Sequence, residues 1–465
     1  MKRRGFSPNV ATYSTLLKGL SQVPNLSTHS KQLARAHTLY DYYIKHIESV
    51  KHHESENTAE LSTAPLVSYL AILGKIGDRQ KIFDVLFAID WDGPFVPDKF
   101  LFCAMFDAIT RCQEAAPASN DASSLSSSPK LDAKYVWLQV EKSVQKSPDF
   151  ELDSHLIAAA IRALTRGRSS DQTLALDITT KYLGLAMLGE RKTLRLSRFL
   201  TLWSLDAALT LCNATQQYPL CVHFMHQVIE RLDLGTPYMR IIDRRHIQKL
   251  LRAHSALARR GSRNESLPAL EALEWSLEND AIYGIPSLQP DRQTYHLLFM
   301  TCWRNVDWER AMRAFELMTG IQATSFAESN EGQRSPTILT RSAKHNLAPD
   351  LETMSFILRT ALATKEVQHY RQAMWLADHV NLRAMLANTK ADSFYSTRIA
   401  QPLLSIIAHL EGKVPAETFR QWKQLRVQAE EVLRNSKEAA EGDRKSLGSS
   451  WSFEEADEAM IGRSS

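Results

Sequence analysis

Cysteine is scarce and scattered in this chain of 465 residues. The five cysteines stand at positions 103, 112, 212, 221 and 302 and form no Cys-x-x-Cys pair. Their odd number and wide spacing argue against a disulfide scaffold and indicate a reducing compartment. Hydrophobic residues make up 44% of the chain and charged residues 23%, as in an ordinary globular protein, which argues against collagen and against bulk disorder.

Long hydrophobic runs and an excess of one charge are also lacking. The longest apolar run, Phe199–Leu211, is interrupted by Ser, Thr and Asp and is shorter than the roughly 18 residues that span a bilayer. Lys and Arg number 56 against 52 Asp and Glu, a formal net charge of +4, so only a local cluster would favour an acidic partner. The basic segment Met1–Pro8 has no apolar segment after it and is too short for an amphipathic presequence, so no targeting signal is readable.

Catalytic signatures are missing as well. The sequence has no Gly-rich phosphate loop, no Ser-His-Asp pattern and no His-Glu-x-x-His motif, so we expect no enzymatic activity and no cofactor. Cys221, His223 and His226, with Cys212 nearby, could offer metal ligands, but no second Cys/His pair has the spacing of a structural zinc site. Because the segment is apolar, we interpret these residues as part of the core and predict no metal site.

Helical periodicity is what the sequence has in abundance. Apolar residues recur at helical spacing in segments of about 12–20 residues, separated by short turns with Pro, Gly, Ser or Asp. The segment Trp308–Thr319 predicts an amphipathic helix with Asp307 as its N-cap. No segment shows the alternation of a strand, so we predict an all-α protein.

One short phrase recurs four times. Each copy is Pro, then Asp or Asn, then three residues and a large apolar residue, and the copies begin at Pro8, Pro97, Pro290 and Pro349. Proline cannot continue the preceding helix, the Asp or Asn can cap a new one, and the apolar residue one turn later can anchor it. Without the polar insertions, the spacing indicates a unit of about 35 residues that holds two helices.

The segments Met1–Leu20 and Pro290–Met318 resemble the junction of two pentatricopeptide repeats, and the segments around Pro97 and Pro349 match less closely. Tetratricopeptide repeats share the two-helix unit of about this length but lack the Pro-Asp-x-x-Thr-Tyr junction. The resemblance implies a right-handed superhelical α-solenoid of stacked helix-turn-helix repeats.

The predicted organisation is one solenoid over residues 1–436 followed by a disordered tail over 437–465. Within the solenoid we predict clear repeats near 1–130 and 285–380, degenerate helix pairs over 131–284 with a weak copy of the phrase at Glu151–Leu156, terminal helices over 393–436, and loop insertions at 113–130 and 324–344. Because the chain opens inside a repeat, we expect further repeats upstream or a truncated N-terminus.

Pentatricopeptide proteins bind single-stranded RNA in mitochondria or chloroplasts, one base per repeat. The resemblance therefore implies a mitochondrial protein that acts in RNA processing, stability or translation, with mRNA, the small subunit of the mitochondrial ribosome or its rRNA as partner. In the family, a base is read by the residue after the Thr-Tyr pair together with the Asp or Asn that ends the same repeat. The candidates carried over to this chain are Ser14, Cys103, His296, Ser355, Asn9, Asp98, Asp291 and Asp350. Asp350 ends the repeat that His296 opens, so the resemblance pairs these two residues.

Several of these positions depart from the family pattern. Cys103 and His296 replace a small polar residue, and Glu352 stands where an aliphatic residue should sandwich the base and would repel a phosphate. The alternative interpretation is that the Asn and Asp residues serve only as helix caps.

Positive charge is clustered in one segment. The candidates for phosphate contact are Arg244, Arg245, Lys249, Arg252, Arg259 and Arg260. Arg245, Lys249 and Arg252 share a helix face, and such a stripe could follow a phosphate backbone. The alternative interpretation, which the sequence favours, is a solvated helix face. A smaller group comprises Arg191, Lys192, Arg195 and Arg198. The alternative function is a helical-repeat scaffold for protein partners without RNA reading. The sequence leaves the oligomeric state open.

Overall fold

The computed structural model describes residues 8–52, 61–89, 97–115, 133–147, 150–190, 197–233, 241–322, 346–387 and 393–443. These residues form 19 α-helices and no β-strand, which confirms the predicted all-α fold. The predicted insertion at 324–344 and most of the one at 113–130 lie outside the described residues, as does the tail from residue 444 onward.

The chain forms two compact units, Met1–Ile241 and Ile242–Ser465. In the first unit the helices alternate between two layers, which we call A helices and B helices. The A helices are α1 (Val10–Ser21), α3 (Ala64–Ile76), α5 (Lys99–Ala115), α7 (Ser154–Thr165) and α9 (Leu202–Ala214). The B helices are α2 (Ser30–His52), α4 (Arg79–Ala88), α6 (Ala133–Lys146), α8 (Ser169–Ile178), which a π-turn over Thr179–Leu183 extends, and α10 (Tyr218–Asp233).

The second unit repeats this arrangement. Its A helices are α11 (Arg244–Arg259), α13 (Arg292–Asn305), α15 (Leu351–Thr364) and α18 (Ser393–Leu410). Its B helices are α12 (Ser266–Tyr283), α14 (Trp308–Thr319), α16 (Val367–His379) with the short α17 (Leu382–Ala387), and α19 (Ala416–Asp443). The predicted helix over Trp308–Thr319 is observed with these bounds, and α19 continues past residue 436, where we expected the helices to end.

Within each unit the helix pairs stack in series. Every A helix contacts the next A helix of its unit. Every B helix packs against its own A helix and, except for α10 and α19 at the ends of the units, also against the A helix that follows. This serial packing of helix-turn-helix modules is the architecture of an α-solenoid, and it confirms the predicted fold class in both units.

The recurring phrase starts a helix wherever it occurs. The side chains of Asn9, Asp98, Asp291 and Asp350 each accept a hydrogen bond from the backbone N–H three residues later, over 2.8–3.0 Å. Asp153, in the weak copy of the phrase, caps α7 in the same way at 2.8 Å. The Asp and Asn residues are therefore N-caps, as the physical reading of the phrase required.

The large apolar residue of each phrase anchors its helix in the core. Tyr13, Phe102, Tyr295 and Met354 are all buried, with 6% or less of their surface exposed. In the first unit, α3 and α5 come unusually close at Gly74, where a Cβ atom would lie only 2.9 Å from the Cα of Ala108. The glycine is therefore required by helix packing and not by backbone conformation.

None of the helices in the described ranges is both long and apolar enough to cross a membrane.

Candidate nucleic-acid interface

The A helices leave one side of each unit open. They pack against the B helices on one side, and partly or fully exposed residues follow the opposite side at helical spacing. We call this side the A face. In α5 it carries Phe100, Ala104, Asp107, Arg111 and Glu114. Successive A helices present equivalent exposed positions, and a surface built in this way is suited to an extended ligand.

Three successive A helices of the first unit present a ring at the same place on the A face. Phe100, His155 and Trp203 are the second residues of α5, α7 and α9, and each stands two residues after the residue that precedes its helix. Phe100 is 62% exposed and Trp203 is 46% exposed, and the rings of His155 and Trp203 lie 6.4 Å apart between centroids. We call this set the aromatic row. Exposed rings at regular intervals can stack on bases.

The aromatic row was only partly visible in the sequence. Phe100 stands at the predicted base-sandwiching position, but His155 and Trp203 were missed. The signal that could have found them is their position two residues after Asp153 and Thr201, the N-cap residues of α7 and α9.

The capping acids also contact the preceding A helix. The Nε2 atom of Gln248 in α11 donates to Oδ1 of Asp291 at 2.9 Å, and Nε2 of His296 in α13 lies 3.1 Å from Oδ1 of Asp350. Both Gln248 and His296 stand five residues after the cap of their own helix. The structure thus brings together His296 and Asp350, which were predicted to act as a pair, and shows that Gln248 and Asp291 form an equivalent pair that sequence reasoning missed.

Ion pairs follow the same geometry. A basic residue directly after one cap reaches the acid at the next cap: Lys99 to Asp153 at 3.5 Å and Arg244 to Asp291 at 3.2 Å. Burial raises the pKa of the Cys103 thiol to about 12, and the charge of the Asp153 carboxylate adds to that rise. The junctions that lead into α7, α13 and α15 are therefore small polar clusters around a capping acid.

The His296 cluster is closed by the protein's own side chains. His296 is 7% exposed, and its Nδ1 atom lies 3.0 Å from Oε2 of Glu352. Burial alone would lower the pKa of His296, but hydrogen bonds to Asp350 and Glu352 outweigh it and raise the pKa to about 9. Despite its own burial, Asp350 has a pKa well below its usual range because of the hydrogen bond to His296. At neutral pH the cluster is a histidinium between two carboxylates.

The remaining base-reading candidates differ in exposure. Ser14 is half-buried and Asn9 is exposed at the start of the A face. Asp98 accepts a hydrogen bond from the hydroxyl of Thr63 at 2.6 Å. Ser355 is buried, and its hydroxyl has no hydrogen-bond partner. Neither Ser355 nor His296 is accessible to a base in this structure.

The predicted basic stripe lies on the A face of α11. Arg245, Lys249 and Arg252 are exposed or half-buried along one side of the helix. Arg245 donates from Nε to Oδ2 of the capping Asp243 at 3.0 Å, and burial lowers the pKa of Arg252. Carboxylates therefore already neutralise Arg244 and Arg245 in part, which weakens the near end of the stripe as a phosphate contact.

The other basic candidates are placed differently. Arg259 and Arg260 are exposed at the end of α11. Of the smaller basic group, Arg191, Lys192 and Arg195 lie outside the described residues.

Two of the four possible metal ligands, Cys212 and Cys221, belong to the core, as predicted, whereas His223 is half-buried and His226 is exposed, so the prediction of a core position was wrong for His226. Cys212 and Cys221 are fully buried, and burial raises the pKa of Cys212. The side-chain amide of Asn213 donates to the sulfur of Cys221 at 3.4 Å. Across the described part of the chain, no three His, Cys, Asp or Glu residues come together as metal ligands.

Among known proteins, only solved structures show a likeness to this chain. No protein-family model and none of the curated proteins matches the chain. Among solved structures, the chain is similar to the crystal structure of the pentatricopeptide repeat protein PPR10 from maize, with 12% identity over 99% of this chain and 81% of that chain and a TM-score of 0.20. The fold described above rests on the helix pairs themselves and not on this likeness.

Proposed function

We propose that this chain is a pentatricopeptide-type solenoid that binds single-stranded RNA along its A face with little sequence preference. The observation that carries the proposal is the aromatic row, Phe100, His155 and Trp203, on three successive A helices. Large rings are costly to leave in water, and a row of them on an open helical surface is suited to stacking with unpaired bases, which all offer a flat face.

The polar clusters at the helix junctions indicate that the protein discriminates only weakly between bases. Asp153, Asp291 and Asp350 are already engaged by helix N–H groups and by side chains of the preceding helix. A base that read them would have to break those bonds. Stacking and phosphate contacts do not require this, so we infer that they provide most of the affinity.

We further propose that the protein acts in mitochondria, in RNA processing, stability or translation. This part rests on the sequence resemblance at Met1–Leu20 and Pro290–Met318 alone. A ligand surface with little sequence preference suits a strand whose position is fixed by a larger assembly, so the small ribosomal subunit or its rRNA is the partner we favour over a free mRNA. The protein would hold or shield the strand and carry out no chemistry on it.

The aromatic row can be tested by truncation with a closely matched control. The double variant Phe100→Ala/Trp203→Ala removes two rings of the row. The control, Phe87→Ala/Trp375→Ala, removes two rings on the B helices α4 and α16 that are 62% and 39% exposed. Because each stacked base contributes about 1–3 kcal/mol, the first variant should lose at least about tenfold in affinity for single-stranded RNA, measured by fluorescence anisotropy, while the control keeps the wild-type affinity.

Two results would contradict the proposal. Equal affinities for the two double variants would remove the aromatic row from the binding surface. Failure of the wild-type protein to retain single-stranded RNA of any sequence at low salt would favour the protein-scaffold function instead.

A further inference from the structure

An open cavity of about 410 Å³ lies between B helices of the second unit, at the end of α16, along α17 and at the first turns of α19. Its volume is in the range of ligand sites in proteins. We call it the α19 cavity. Its polar lining consists of Asp378, Asn381, Arg383, Arg420, Gln421 and Gln424. Because Arg383 and Arg420 are exposed and stand on different helices, a ligand in the cavity can contact both guanidinium groups.

The charged side chains in the lining of the α19 cavity are Arg383, Arg420 and Asp378. Neither arginine forms an ion pair with an acid of the described ranges, and this includes Glu417, one turn before Arg420. Asp378 accepts a hydrogen bond at Oδ2 from Nε1 of Trp422 at 2.6 Å. The lining therefore carries a net positive charge even with Asp378 ionised, and guanidinium groups beside side-chain amides are suited to carboxylates.

Exposed apolar side chains adjoin the α19 cavity on two sides. Trp375, one turn before Asp378 on α16, is 39% exposed, and its ring lies 5.9 Å from that of Trp422 between centroids. Val427, one turn after Gln424 on α19, is 58% exposed. Cations and apolar surface thus lie side by side, which suits a peptide that carries both carboxylates and large apolar side chains.

A segment of this chain outside the described residues has that chemistry. Residues 449–462 read Ser-Ser-Trp-Ser-Phe-Glu-Glu-Ala-Asp-Glu-Ala-Met-Ile-Gly. They contain four carboxylates and no Lys or Arg, and Trp451 and Phe453 stand directly before the acids. We call residues 449–462 the acidic segment. Its charge is opposite to that of the α19 cavity.

The acidic segment is long enough to reach the α19 cavity. Helix α19 ends at Asp443, and Gln424 lies about 28 Å back along the helix from that end. The chain from Asp443 to Glu454 spans up to about 36 Å when extended. The residues after α19 can therefore run back along the helix and bring the acids to the cavity.

We propose that the acidic segment docks in the α19 cavity, where Arg383 and Arg420 bind its carboxylates and Trp375 and Val427 contact its rings. Charge-assisted hydrogen bonds fix the acids, and contact between apolar surfaces adds to the stability of the docked state. The cavity lies between B helices and not on the A face, so this contact does not depend on the proposed RNA binding.

A fluorescent peptide with the sequence of the acidic segment tests the docking on full-length chains by anisotropy. The neutral-tail variant carries Glu454→Gln, Glu455→Gln, Asp457→Asn and Glu458→Gln. The cavity variant adds Arg383→Gln and Arg420→Gln to these changes. The control variant instead adds Lys31→Gln and Arg35→Gln, which remove two exposed cations of α2 in the first unit.

The tethered segment should compete with the added peptide. A tether of this kind acts at an effective concentration of about 1 mM. A peptide that binds the neutral-tail variant with a Kd of about 100 μM should therefore bind the wild type about tenfold more weakly. The cavity variant should lose at least about tenfold in peptide affinity relative to the neutral-tail variant, and the control variant should lose none.

The other outcomes overturn the proposal in distinguishable ways. Equal peptide affinity of the wild type and the neutral-tail variant, lost in the cavity variant, would overturn the acidic segment as the occupant and assign the cavity to an acidic segment of another protein. No binding to the neutral-tail variant, or binding that survives in the cavity variant, would overturn the site itself. Because Arg383 and Arg420 are exposed, the cavity variant should keep the melting temperature of the neutral-tail variant.

Discussion

Raising the pH from 6.5 to above 9 should weaken the second unit, because it removes the proton that holds His296 between Asp350 and Glu352. The histidine is almost fully buried and lies 3.1 Å from one carboxylate and 3.0 Å from the other. Without the proton, one of its ring nitrogens would face a carboxylate oxygen with no hydrogen between them. Two acceptors would then repel each other at a buried imidazole.

The pKa difference sets the magnitude. The folded protein holds the pKa of His296 at about 9, against about 6.5 in an unfolded chain. The folded state thus binds the proton more tightly, and the resulting stability is fully present below pH 6.5 and is lost as the pH rises through 9. A shift of this size corresponds to about 3 kcal/mol. The lowered pKa of Asp350 reflects the same hydrogen bond and adds nothing further in this pH range.

Denaturant unfolding at a series of pH values between 6 and 10 measures this loss. The wild-type free energy of unfolding should fall by up to about 1.4 kcal/mol per pH unit within the window, and His296→Gln should flatten that dependence. His155→Gln, a change at an exposed histidine, should leave the wild-type curve intact. Parallel curves for the wild type and His296→Gln would refute the reasoning.

Three further predictions concern folding and are checked by melting temperature and denaturant unfolding. Gly74→Ala should destabilise by about 1–3 kcal/mol, because its Cβ would lie 2.9 Å from the Ala108 backbone; an unchanged melting temperature would mean that α3 and α5 can separate without cost. Asp153→Ala should cost about 0.5–2 kcal/mol through loss of the α7 cap, and Asp153→Asn should recover most of it. Val306→Gly should stabilise by about 1 kcal/mol, since Val306 has a φ of 56°; a lower melting temperature would contradict this.

Part of the fold was readable from the sequence because its signals are local. Pro followed by Asp or Asn stops one helix and caps the next within two residues, so the starts of α1, α5, α13 and α15 could be predicted. The N-cap residues of α3 and α9 are Thr63 and Thr201, and threonine is too common in loops to mark a boundary on its own. For the degenerate central repeats, the sequence therefore predicted a succession of helix pairs but not where each helix begins.

The accessibility of the candidate site could not be read in the same way. The sequence placed His296 and Asp350 in one pair, but it could not show that Glu352 would cover His296 from the next helix. That contact depends on how closely α13 and α15 approach, which is a property of tertiary packing. The same limit applies to Ser355, which has the expected polarity but is buried.

The acids shared between helices at the junctions tolerate substitution less well than the residues that bind them. Asp291 starts α13 and at the same time binds Gln248 of the helix before it, so replacing it damages two modules in one step. Gln248 has no capping duty of its own. To change the ligand preference of the A face, the capping acids should therefore be kept and the residue at the position of Gln248 should be varied in one helix pair at a time.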